Sequence, residues 1–175
     1  MKPSPLWIRA LPTRWVVNLS TLGPVGYLGK APGTLGTLAG LVWFTVLFYG
    51  LPSFWFILLA AATIYLAVLI CGEGEARMAK VDPPEMILDE MVAVPLCFLG
   101  LQVNGWQPVL GGPHAWAVIL LGFLLFRFFD ILKPLGIRGL QKYPGGLGVV
   151  ADDVAAALVT CLCLHLIVAF TPLGG

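Results

Sequence analysis

Asp152 and Asp153 stand side by side at the head of an apolar run, VVADDVAAALVTCL, that continues to about Phe170. A carboxylate at the centre of a bilayer helix costs roughly 2.5–3.5 kcal/mol on insertion scales, and less near the helix end. A pair of them calls for chemistry that uses them, and the pattern recurs. Asp89 and Glu90 open LDEMVAVPLCFLGL, and Arg127, Asp130 and Lys133 close AWAVILLGFLLFRFFDIL at i, i+3, i+6, which puts them on one helix face. A helix dipole favours an acid near an N-terminus by about 0.3–1 kcal/mol. That explains one acid per helix, not doubled acids on two helices beside a third. Crowded carboxylates repel and raise one another's pKa, and a divalent cation relieves this. Hard oxygen donors that leave water on the metal point to Mg²⁺. The candidate catalytic and metal-ligating residues are therefore Asp89, Glu90, Asp130, Asp152 and Asp153. Adjacent acids on a helix point about 100° apart. One of each pair is expected as a direct ligand, the other as a base or an orienter of water.

Three further groups of residues near these acids could bind an anion. Arg127 offers a bidentate fork and Lys133 a point charge, with Lys30 as a further cation. In GKAPGTLGTLAG, Pro32 suits a first helical turn, Thr34 or Thr37 can cap it, and Gly33 leaves backbone N–H groups open to an anion. Gly36-x-x-x-Gly40 also reads as a close helix-packing seam. In YPGGLG, Gly146 would let backbone approach a phosphate beside the aspartate pair.

The elements that must position these groups are membrane helices. The chain of 175 residues is 59% hydrophobic and 11% charged, against about a quarter charged in soluble domains. Its net charge of +1 offers no basic field for nucleic acid. A bilayer helix needs about 20 apolar residues. Residues 34–51, 53–72, 88–101, 115–132 and 149–170 come close, the third short and containing Pro95. The stretch before them, with Trp7, Trp15, Arg9 and Arg14, suits an interfacial helix. If the third segment crosses, all ten basic residues, Lys2 included, and all nine acidic ones share one membrane side. The positive-inside rule favours that crossing and a cytoplasmic charged face. The expected fold is all-α: a single membrane-embedded domain over residues 1–175, polytopic, with about five spans. Nothing in the sequence specifies an oligomer.

Other chemistries fit less well. Cys71 and Arg77 have the spacing of a cysteine phosphatase, but Glu73 and Glu75 between them would repel phosphate. His114 and His165 fall toward the uncharged side, away from the acids. No D-x-D occurs for a dehalogenase-type nucleophile. A transporter or channel would need polar residues continuing through the bilayer, and a non-catalytic lipid-binding subunit would not need doubled acids.

APGTLGTLAG, VDPPEMILDEMVAV, FRFFDILKPLGIR and PGGLGVVADDVAAAL, in that order over residues 31–157, resemble bacterial phosphatidylglycerophosphatase A. The resemblance implies a small polytopic Mg²⁺-dependent enzyme of the inner membrane. Such an enzyme removes the terminal phosphate of phosphatidylglycerophosphate, an anionic phospholipid, in phospholipid biosynthesis. It places the family's acids on Asp89, Glu90, Asp130, Asp152 and Asp153, with an upstream acid at Asp82. The chain departs from the pattern at LGI after Lys133-Pro134, where a second proline is expected, and at Ala93, where glycine is usual. Both departures read as packing positions. Hydrolysis by a metal-activated water and hydrolysis through an aspartyl-phosphate both remain open.

Overall fold

Prolines mark where the first helices begin. The computed structural model describes residues 5–174. Lys2, counted with the basic residues of the charged face, lies outside them. Short helices α1 (Leu6–Arg9) and α2 (Thr13–Ser20) follow Pro5 and Pro12, α3 (Pro32–Leu47) starts on Pro32, and α4 (Ser53–Met78) follows Pro52. A proline at or just before the first turn fixes φ and gives up an N–H that has no intrahelical partner there. Then come α5 (Leu88–Ala93), which runs into a 3-10 turn at Val94–Phe98, α6 (Ala115–Leu132) and α7 (Gly146–Phe170).

Helices α4, α6 and α7 are long and apolar enough to cross a membrane, and α3 is a shorter apolar helix of 16 residues. Their outer faces are bare. Trp116, Leu120, Leu124 and Phe128 form an exposed i, i+4 stripe on α6, and Leu158, Leu162, Leu166 and Phe170 form another on α7. In water such stripes would be a liability. In a bilayer they are the lipid-facing surface, and the protein is polytopic.

Residues 88–103 make a fifth passage of a different kind. The Val92–Phe98 stretch is buried throughout, and Pro95 removes the N–H that would continue an α-helix. The segment still reaches the far end: Val103 N–H donates to Tyr49 O at 3.2 Å, and Gln102 Nε2 reaches Leu51 O at 3.4 Å. Irregular backbone is tolerated at membrane depth only where protein covers it. Here α3, α4, α6 and α7 do so, which explains why this passage looked too short for a span.

Glycines let these layers close. A Cβ on Gly40 would lie 2.6 Å from Val94 Cβ, and one on Gly36 3.0 Å from Ile87 Cβ, so the expected seam on α3 receives α5. A Cβ on Gly146 would meet Gly72 N at 2.5 Å, which makes the start of α7 a backbone-to-backbone seam with α4.

The amino-terminal helices lie across the charged end. Trp7, Trp15 and Leu19 are exposed while Ile8 and Val16 are fully buried. Arg77 fastens them: Nη1 donates to Leu11 O at 2.6 Å and Nη2 to Arg9 O at 3.1 Å, while Nε pairs with Glu73 at 3.0 Å. The segments that carry the described charged residues all meet at this end of the bundle.

Candidate active site

Four helix ends converge on one cavity of about 330 Å³. The start of α3 supplies Pro32 and Gly33, and the start of α5 supplies Asp89 and Glu90 in its first turn. The end of α6 supplies Arg127, Asp130 and, as its C-cap, Lys133, and α7 supplies Asp152 and Asp153. Asp82, Pro83, Pro84 and Met86, with Ala31 and Val149, complete the wall.

Helix α7 begins at Gly146, so Asp152 and Asp153 sit beyond its first turn rather than opening it. The helix dipole acts within the first turn and does not account for them. Asp89 and Glu90 do occupy favoured first-turn positions. Asp130 stands in the last turn of α6, the unfavourable end for an acid, and two cations hold it there. Arg127 Nη1 lies 2.6 Å from its Oδ2, and Lys133 Nζ lies 3.9 Å from its Oδ1.

The five acids thus fall into two sets. Asp89, Glu90 and Asp153 each offer an oxygen, and these three oxygens lie within 4.8 Å of one another. Asp130 and Asp152 instead face cations, Asp152 Oδ2 being hydrogen-bonded to Lys133 Nζ. Of the Asp152–Asp153 pair only Asp153 joins the oxygen cluster, while Asp89 and Glu90 both do. Asp89 Oδ1, Glu90 Oε2 and Asp152 Oδ1 are buried without a hydrogen-bond partner among the described residues. Buried carboxylate oxygens left open in this way are costly. A hard divalent cation fits the set: oxygen-only donors, several negative charges, and lone pairs to spare.

Gly33 is where the anion side of the cavity meets the metal side. A Cβ there would lie 2.6 Å from Glu90 Oε1 and 3.0 Å from Arg127 Nη1, so only glycine lets both approach the α3 N-terminus. No side chain caps that helix, although Thr34 and Thr37 were both candidates. Thr37 is fully buried, donates to Gly33 O at 2.8 Å, and lies 3.5 Å from Arg127 Nη1. Arg127, Lys133 and the uncapped α3 N-terminus thus put positive charge and open N–H groups beside the carboxylates, an arrangement that suits an anion.

The family model of phosphatidylglycerophosphatase A matches residues 18–168. The chain belongs to this family. It is 34% identical over 143 residues to a Haemophilus influenzae phosphatidylglycerophosphatase A, covering 81% of this chain and 82% of the relative. It is 30% identical over 145 residues to the Escherichia coli phosphatidylglycerophosphatase A, covering 82% and 77%. A Bacteroides thetaiotaomicron protein provisionally named a phosphatidylinositol-3-phosphatase is 35% identical over 149 residues, covering 79% and 84%. No solved structure matches the chain.

Membership in a phosphatase family makes the protein an enzyme, and the motifs of that family map unevenly onto the cavity. Lys30 is exposed, and neither it nor Thr34 lines the cavity. Gly146 is also outside the lining, and it packs closely against Gly72. The departure after Lys133-Pro134 is a turn rather than a packing position. Leu135 is 81% exposed with φ 58° and Gly136 has φ 82°, neither of which a proline can adopt. Ala93 is fully buried, as a packing position should be.

One residue of the site's surroundings emerged only from the structure. Glu75 is 7% exposed, and its Oε1 accepts from Asp82 N–H at 2.8 Å. This holds Asp82 at φ 46°, a left-handed conformation unfavourable to any side chain. Burial pushes the Asp82 carboxyl above its ordinary pKa, and Lys133 partly offsets this. Seven residues separate Glu75 from Asp82 across a helix end, so no linear spacing signalled the bond.

Proposed function

We propose that the protein is a Mg²⁺-dependent phosphatidylglycerophosphatase, hydrolysing the terminal phosphate monoester of phosphatidylglycerophosphate to give phosphatidylglycerol and phosphate. The observation that carries this reading is one cavity at the charged end of an apolar bundle. It joins three converging carboxylates to an Arg–Lys–glycine cradle. No Asp, Glu, Lys or Arg lies between residues 34 and 72, 91 and 126, or 154 and 174, so no row of charged residues continues through these segments as an ion path would favour.

Phosphate-ester hydrolysis needs mostly positioning and neutralisation of charge. Arg127 and Lys133 bind the non-bridging oxygens, and the Gly33 N–H at the open end of α3 adds a donor. Asp130 keeps both cations in place. Asp89, Glu90 and Asp153 would hold Mg²⁺, which when bound supplies a Lewis acid and lowers the pKa of a coordinated water. Asp152, with one open oxygen beside Lys133, can take the proton of the attacking water. The same carboxylates would serve an aspartyl-phosphate route. The enzyme would work in bacterial phospholipid biosynthesis, in the inner membrane with its charged end cytoplasmic.

Purified protein in detergent is expected to release phosphate from phosphatidylglycerophosphate with Mg²⁺ and not after chelation. No release with any divalent metal would reject the activity. Faster release from phosphatidylinositol 3-phosphate would shift the substrate toward that of the Bacteroides relative. Orientation is tested separately: single cysteines replacing the exposed Gly111 and Gly139 should label from opposite sides, Gly139 from the cytoplasm. Labelling of both from one side would break the topology.

A further inference from the structure

A second chamber adjoins the catalytic cavity at the same end of the bundle. It also has a volume of about 330 Å³, and Asp82 and Val149 line both spaces. Its polar lining is Glu75, Asp82, Gln141, Lys142 and Tyr143. The walls are set by unusual backbone: Asp82 has φ 46° and Gly145 φ 67°. Buried Glu75 holds the Asp82 N–H at 2.8 Å, and Gln141 Nε2 donates to Asp82 Oδ2 at 3.3 Å. None of Glu75, Gln141, Lys142 or Tyr143 has a part in the hydrolytic step.

We propose that this chamber is the subsite for the glycerol phosphodiester portion of the lipid headgroup, with Lys142 as its specificity-determining cation. The inference rests on the phosphatidylglycerophosphatase reading above. In that substrate the scissile phosphate is carried by a glycerol with a free hydroxyl, followed by a phosphodiester and then the acylated glycerol. With the scissile phosphate between Arg127 and Lys133, the hydroxyl and the diester must occupy the next space along the chain of atoms. Asp82, on the shared wall, and Gln141, bonded to it, suit the hydroxyl. Lys142 is exposed, makes no ion pair among the described residues, and is the only cation lining the chamber, which suits the diester's single negative charge. Around this end Val81 is 89% exposed, Tyr143 54% and Leu147 49%, an apolar rim suited to acyl chains leaving for the bilayer. Phosphatidic acid, whose phosphate sits directly on the acylated glycerol, would place ester groups there and leave Lys142 without its anion.

The test compares wild type, Lys142→Ala and Lys142→Arg as full-length protein in mixed micelles. Phosphatidylglycerophosphate is the substrate, and phosphatidic acid is tried as substrate and as competitor. Lys142→Ala should raise KM for phosphatidylglycerophosphate about tenfold, the scale of one lost charge-assisted hydrogen bond, with kcat nearly unchanged. Lys142→Arg should restore most of the loss, and the constants for phosphatidic acid should not move. Equal losses with both lipids, or an unchanged KM for phosphatidylglycerophosphate, would overturn the subsite. A wild type inactive on phosphatidylglycerophosphate would instead reject the underlying activity, and the same assay reads that first.

Discussion

Asp153→Asn is expected to lower phosphate release by on the order of 10³-fold or more, while raising the unfolding temperature of the metal-free protein. The first effect follows from a metal's contribution of several kcal/mol to charge stabilisation, each 1.36 kcal/mol being about tenfold in rate. The second follows from electrostatics. Asp153 is 4% exposed, and one of its oxygens shares a 4.8 Å cluster with oxygens of Asp89 and Glu90. Without a cation these charges repel in a poorly solvated place, and an amide of the same shape removes one of them. Mg²⁺ should therefore raise the unfolding temperature of wild type by mass action and move the variant little. Thermal scans in detergent with and without Mg²⁺, beside phosphate-release assays, read both effects. Near-normal turnover would remove Asp153 from the site. A metal-free variant less stable than wild type would mean that the cluster is held by protein contacts rather than left for a cation.

The features legible in the sequence were those with a large local cost. Doubled acids at the edges of apolar runs cannot be excused by propensity, so Asp89, Glu90, Asp152 and Asp153 stood out. The i, i+3, i+6 spacing put Arg127, Asp130 and Lys133 on one face, and the ion pairs along it agree. The third passage was legible only through the charge balance of its flanks, since its own length argued against a span. What stayed hidden depended on distance between elements. Nothing in YPGGLG distinguishes a glycine that admits phosphate from one that admits a neighbouring helix. The approach of Gly146 to Gly72 is a packing fact that exists only after α4 and α7 come together. Glu75 was hidden for a related reason: its partner is a backbone N–H, which leaves no residue-type pattern.

Arg127→Lys should cost about 10²-fold in kcat/KM, and Arg127→Ala on the order of 10³-fold, within the range for arginines that neutralise a transferring phosphoryl group. Lysine keeps the charge but loses the planar fork. That fork is built into the fold here. Nη1 lies 2.6 Å from Asp130 Oδ2, and both terminal nitrogens stand close enough to Gly33 that a Cβ there would meet them at 3.0 and 3.2 Å. A lysine ammonium cannot span Asp130 and the glycine together, so the phosphate would lose a bidentate partner and Asp130 would keep only Lys133, at 3.9 Å. The role of Asp130 follows from the same geometry. The sequence placed it among the metal ligands; in the structure it contacts both Arg127 and Lys133, and we propose that it positions these two cations. Asp130→Asn is then expected to lose activity, by about 10–100-fold as for residues that orient a site from behind, while keeping the Mg²⁺-dependent rise in unfolding temperature. A variant that loses that rise as completely as Asp153→Asn would return Asp130 to the metal. Asp130 and Asp153 would then act as one coordination set, and the Arg127–Asp130 pair would be a contact of the metal-free protein that breaks when the cation binds.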